Sequence, residues 1–155
     1  MISPNLYIFP MKKLIILFVL FSSTALLAQV DTQVRFQSDS RQFYMWSDEK
    51  DGYELRETEY ENSVIDIREI GSKSNGYVVI SLNDNGVVRM FHGSITDFNE
   101  KDSEGSWSLR SKILKGKLTY NPEKNTFTYL YEATDKRYNK IFVFNVSSEK
   151  IASLN

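Results

Sequence analysis

Cysteine is absent from the chain, which removes thiol catalysis, cysteine-ligated zinc and redox switching from consideration. Without disulfides, a short domain must be held by packing alone. Histidine is nearly absent as well: His92 stands alone, so no two-histidine metal site can be assembled. Charge of either sign is not in excess, with 19 Lys+Arg against 20 Asp+Glu. That balance argues against nucleic acid or an anionic membrane as a partner. After residue 29 there is no repeat, no low-complexity tract, no linker and no helical pattern of ten residues. No G-x-S-x-G elbow accompanies the serines.

What is present begins with an address. Leu14 to Ala28 is an uncharged apolar run behind Met11-Lys12-Lys13, and it ends in Ala25-Leu26-Leu27-Ala28. A basic start, an apolar segment and a small residue before the cut have the order of a secretory signal peptide. The pattern predicts cleavage between Ala28 and Gln29, with Met11 as the initiator and residues 1–28 as the leader. A spanning helix needs about 20 apolar residues, and this run is shorter and interrupted by Ser22-Ser23-Thr24. A lipoprotein would need a cysteine at the cut. The expected product is secreted or periplasmic and not inserted in a membrane: one β-domain over 29–146 and a flexible tail over 147–155.

Removing Lys12 and Lys13 takes Lys+Arg from 19 to 17 against 20 Asp+Glu, a net of −3. The distribution is uneven. Residues 48–69 hold nine Asp/Glu against Lys50, Arg56 and Arg68, whereas residues 110–150 hold nine Lys/Arg against four acids. The simplest expectation is that these are solvated faces of paired strands whose charges complement each other.

Short alternating runs separated by turn residues fill the rest. Val34 and Phe36 alternate with Arg35 and Gln37, and Phe43 and Met45 alternate with Tyr44 and Trp46. Asp51-Gly52 reads as a hairpin turn, and two further strands flank Glu61-Asn62-Ser63. Asn83-Asp84-Asn85-Gly86 between Tyr77–Leu82 and Val87–His92 predicts a type I′ hairpin, because Asn and Gly accept the positive φ that this turn needs. Ser94 to Phe98 is a further run before a polar loop over 99–105. Asn121-Pro122 breaks the pair around it, since proline cannot donate to a ladder. In Thr126–Tyr131, period two places Phe127, Tyr129 and Tyr131 on one face.

Nine to eleven short strands in antiparallel succession predict an all-β up-and-down meander, closing as a small barrel or stacking as a sandwich. The barrel is preferred because nearly every connection is of hairpin length. Gly105-Ser106-Trp107 is similar to the G-x-W element of lipocalins, a family of small barrels that carries it on the first strand. The resemblance implies a lipocalin-like shape, covers three residues and transfers no functional site. An outer-membrane barrel is disfavoured, since most runs are five to seven residues and carry Glu or Lys on the face that would meet lipid.

Residues able to carry chemistry are few. His92 shares a strand face with Val88 and Met90, where a hydrogen-bonded role near a strand end is expected in preference to catalysis with Ser94 and Asp97. Glu57, Glu59 and Glu61 alternate at about 7 Å intervals, which suits a glycosidase pair and equally suits a charged edge strand. Asn83-Asp84-Asn85-Gly86 lacks an EF-hand's twelfth-position carboxylate, the slot being Ser94. No cofactor or metal is expected. Seven Phe, eight Tyr and two Trp follow residue 29. Tyr44, Trp46, Tyr53 and Tyr60 gather near the acidic segment, where they serve either the core or recognition. The expected function is a non-enzymatic module that binds a small apolar or saccharide ligand, or a protein with a basic surface. An envelope assembly component is the alternative, and a hydrolase using Glu57 and Glu59 comes third.

Overall fold

The computed structural model describes residues 31–112 and 114–152, so the leader lies outside the described residues. In chain order the strands are β1 (Asp31–Ser47), β2 (Gly52–Glu59), β3 (Ser63–Ile70), β4 (Gly76–Asp84), β5 (Val87–Lys101), β6 (Glu104–Arg110), β7 (Lys115–Asn121), β8 (Thr126–Glu132) and β9 (Lys140–Ala152). A 3₁₀ turn, Lys136–Tyr138, precedes β9 and is capped by Asp135, whose carboxylate accepts the Arg137 N–H. Every adjacent pair is antiparallel, and β1 pairs with β9. That last pairing closes an eight-stranded barrel from β1 and β3 to β9, and it removes the sandwich alternative.

β2 is the exception to the meander. β1 pairs with β3 along Asp31–Ser38 and with β2 along Arg41–Ser47, so β2 and β3 lie end to end beside one strand. Glu61-Asn62 is thus a break in a long strand and makes no hairpin. The β1–β2 hairpin projects beyond the ring, at the end where the β4–β5, β6–β7 and β8–β9 connections also lie. We call this end the mouth.

Turn chemistry places the other connections as expected. Asn85 and Gly86 have φ of 51° and 81°, the paired positive values of a type I′ turn, and Asp51 has φ of 47°. The expected loop over 99–105 is instead continuous ladder: β5 absorbs Ser94–Phe98 and runs to Lys101. Its reversal is made by Asp102 and Ser103, both at positive φ (51° and 68°). Strands are correspondingly longer than the five to seven residues read from the runs, reaching 17 in β1. The expected tail boundary at 147 falls inside β9, which continues to Ala152 opposite Gln33.

Period two sends Phe36, Ile65, Ile67, Val78, Ile80, Leu82, Leu118, Phe127, Tyr129, Phe142 and Phe144 inward, where all are buried. Rings fill the interior. Phe36 meets Phe127 edge-on at 4.7 Å, Tyr120 stacks on Phe127 at 4.6 Å, and Trp107 packs on Phe98 at 5.2 Å. Eight strands leave a lumen that side chains just fill or that holds one small ligand. Here side chains fill it, so a ligand buried in the lumen, as in a lipocalin-like vessel, has no room along most of the axis.

Among the described residues, no ion pair joins the two oppositely charged segments. β1 separates β2 and β3 from β9, so the acidic segment takes its cations from β1 and from within itself: Asp66 pairs with Arg35, Glu59 with Arg41 and Glu54 with Lys50. The basic segment likewise pairs internally, Lys115 with Glu132 and Arg137 with Asp135.

Candidate functional site

At the mouth the ring packing opens into a cleft of about 370 Å³, at the small end of the roughly 300–1,000 Å³ range of small-molecule sites. β1, β2, β4, β5, β9 and the β4–β5 turn line it. Three rings form its floor: Phe43 stacks on Phe142 at 4.8 Å, and Phe91 leans on Phe142 at 5.7 Å. Charged side chains form its wall, namely Arg41, Glu57, Glu59, Asp84, Arg89 and Lys140. Two wider depressions, of about 510 and 700 Å³, lie along β5–β7 and beside the β6–β7 turn. The first has no aromatic lining and the second only Tyr131, against three rings in the smaller cleft. Apolar shape with a few directed polar groups is what fixes a small molecule, so the smaller cleft is the better site.

Two irregularities build this wall. β1 shifts register against β9 at Gln37/Ser38 and again at Ser38/Ser40, and Ser38, Ser40 and Arg41 all become buried. A bulge between Phe43 and Tyr44 then re-aims β2: Glu59 faces Arg41 and Glu57 faces Phe43, whereas Leu55 faces Tyr44 and Tyr53 faces Trp46. Glu57 and Glu59 therefore join the cleft, while Tyr53 goes to the opposite face of the hairpin.

Arg41 is the anchor, at 2% exposure. Its Nη2 donates to the Asn83 carbonyl at 2.7 Å, its Nη1 donates to Ser63 Oγ at 3.3 Å, and it forms an ion pair with Glu59. Burial holds the Glu59 carboxyl above the usual range against the opposing pull of Arg41, and Glu57, Asp84 and Glu61 push it the same way as burial. Arg89 is tied to Asp84 at 2.7 Å. Among the described residues, Glu57 and Lys140 are left with no ion pair, so they are the charges open to a ligand.

The expected aromatic site is partly assembled, on the outer face of the β1–β2 hairpin. Trp46 meets Tyr53 edge-on at 5.4 Å and donates its indole N–H to Asp48. Tyr53 donates to the Lys136 carbonyl at 2.7 Å, the Lys136 ammonium lies 5.9 Å from the Trp46 ring centre, and Tyr44 donates to the Gln42 side chain. Tyr60 stays apart in the β2–β3 break at 83% exposure. None of the four enters the core, so the core reading fails for them. Their bonds pin the 3₁₀ turn to the hairpin. Glu61 sits past the end of β2 and accepts the Asn85 N–H, which separates it from the Glu57–Glu59 face. His92 is exposed in mid-strand and does not occupy a strand end. No grouping of His, Asp or Glu able to hold a metal occurs among the described residues.

Arg41, Arg89, Lys140 and the phenylalanine floor escaped sequence reasoning. One signal was available: Phe36 and Phe43 are an odd number of residues apart, so both can face inward only if β1 slips phase between them. Comparison with family models, curated proteins and solved structures returns no match, and the reading below rests on the chain's own chemistry.

Proposed function

We propose that this is an exported, non-enzymatic binding domain that holds a saccharide-like ligand in the mouth cleft. The observation that carries the reading is the pairing of an aromatic floor with two uncommitted charges, Glu57 and Lys140, in one cleft of about 370 Å³. A sugar ring offers an apolar C–H face to Phe43, Phe91 and Phe142 and hydroxyls to the wall. A purely apolar ligand would strip water from Glu57 and Lys140 and return no hydrogen bond, which is costly. Export is supported by the run from Leu14 to Ala28. Release into water after leader removal is supported by Arg35, Asp66 and Lys117 at mid-strand positions of the barrel wall, since charge on a lipid-facing wall costs about 2–4 kcal/mol at mid-depth.

Native mass spectrometry of protein purified from its own host, followed by titration with the sugar it identifies, tests the proposal. Glu57→Gln combined with Lys140→Ala should lower affinity about tenfold or more, the loss of two charge-assisted hydrogen bonds. Unchanged affinity would remove the cleft from the function.

One observation favours a second reading, a carboxylate-dependent hydrolase: Glu57 and Glu59 share the cleft, and Glu59 holds its proton more tightly than an ordinary glutamate. The buried Arg41 works against it, because its ion pair already engages the Glu59 carboxyl. Turnover of a glycoside that Glu59→Gln abolishes would establish this reading in place of the first.

A further inference from the structure

Among the described residues, three stretches of strand edge lie outside the closed ring, on β2, on β9 beyond Asn145, which pairs only with β1 and carries Glu149 and Lys150, and on β5, and they are finished differently. β2 pairs only with β1, and this edge is blunted in the usual ways: it carries Glu54, Arg56, Glu57 and Glu59 and is bent by the bulge at Phe43/Tyr44. The edge without such a finish belongs to β5. Val87–Gly93 pairs with β4 along its whole length, yet β6 joins β5 only from Ser94 onward. Among the described residues, no strand pairs with the second edge of Val87–Gly93. Val87, Val88 and Met90 there are 61%, 67% and 65% exposed. The residues of β4 facing Val88, Met90 and His92 are Asn83, Ser81 and Val79, so no formal charge borders this edge on that side.

We propose that β5 pairs through Val87–Gly93 with the same strand of a second copy, antiparallel about a two-fold axis. The segment is self-complementary. A symmetric antiparallel register that uses all seven residues centres on Met90, which then meets Met90 of the second copy. Val88 meets His92, and on the other face Arg89 meets Phe91 while Val87 meets Gly93. Nowhere do like charges oppose, and the guanidinium lies against an aromatic ring, a favourable contact. Strand addition satisfies the unpaired backbone groups, and the exposed Val88 and Met90 side chains leave water together. The unblunted finish of this edge, beside the charged finish of β2, is what a natural interface looks like when an edge is used. A two-fold axis closes the assembly at two copies.

Sedimentation equilibrium of the purified protein should give twice the monomer mass. Met90→Lys sets two ammonium groups face to face across the axis and should raise the dissociation constant at least about tenfold. The side chain is exposed, so the fold is retained. Tyr60→Ser, off the edge, should leave association unchanged. Hydrogen exchange gives a second readout that requires no variant: alternate amides of Val87–Gly93 should be protected at high concentration and exchange on dilution. A protein that stays monomeric at its solubility limit overturns the proposal, even if a different protein is found to bind this edge. So does a dimer that Met90→Lys leaves intact, or one whose protected amides lie elsewhere.

Discussion

Replacing Arg41 by methionine tests how the cleft is built, because it keeps a long unbranched chain and deletes the charge. The guanidinium contributes a 2.7 Å hydrogen bond to the Asn83 carbonyl, a weaker one to Ser63 at 3.3 Å and the ion pair with Glu59. A hydrogen bond to a charged group contributes about 1.5–3 kcal/mol, and breaking a buried ion pair from one side costs about 3–5 kcal/mol. These overlap, since removing one guanidinium removes all of them at once, and the Glu59 side chain keeps 24% exposure, through which water recovers part of the loss. The expected cost is therefore about 3 kcal/mol. For a domain of this size that is a fall in Tm of roughly 10–15 °C. Urea denaturation of wild type, Arg41→Met, Glu59→Gln and the double variant completes a cycle. The double variant should be more stable than the summed single costs predict by about 1.5 kcal/mol or more, because each single variant strands a partner that the double does not. Additive costs, or a loss under about 1 kcal/mol for Arg41→Met, would refute the view that this pair holds the β1–β2 hairpin over the mouth.

Three further outcomes follow from the structure. Glu59 titrates higher folded than unfolded, so its contribution to stability is complete below the unfolded value and is lost as pH rises through the folded one. The stability of wild type relative to Glu59→Gln, measured by denaturation across pH 3–8, should accordingly fall with rising pH, and a rising difference would contradict the burial argument. Tyr129 is fully buried and its hydroxyl has no hydrogen-bond partner among the described residues, so Tyr129→Phe should be neutral or stabilising by about 1 kcal/mol, whereas a loss of that size would mean that the hydroxyl is satisfied. Asp102 and Ser103 hold positive φ without glycine, and replacing the pair by Asn-Gly, as at Asn85-Gly86, should raise stability by about 0.5–1 kcal/mol; an unchanged Tm would show that this turn carries no strain.

How much of this was legible in the sequence depends on whether a feature is set by neighbours along the chain or across it. The Asn85-Gly86 hairpin was readable because two adjacent residues determine the turn, and Phe127 and Tyr129 were readable as core because unbroken alternation fixes their face. The end-to-end arrangement of β2 and β3 was not, since Glu61-Asn62-Ser63 has the composition of a turn and only the length of β1, which supplies partners for both strands, makes it a break. The same holds for the charge halves: composition suggested that 48–69 and 110–150 complement each other, and strand order placed β1 between them. The cleft depended on still less local information. Had β1 run without register shifts from Phe36, regular alternation would place Arg41 outward with Arg35 and Gln37, and Phe43 with it. The slips at Gln37–Ser40 reverse that assignment and draw a cation into the wall, and the bulge beside Phe43 turns Glu57 and Glu59 towards it. A site built from phase slips leaves no motif, only the mismatch in parity between two phenylalanines that must both face inward. That mismatch is also a design rule for this barrel: deleting one residue between Gln37 and Ser40 shortens the Phe36 to Phe43 spacing from an odd to an even number, so regular alternation alone would hold Arg41 and Phe43 inward and the slip would no longer be needed, while the ladders of β3 to β8 keep their register.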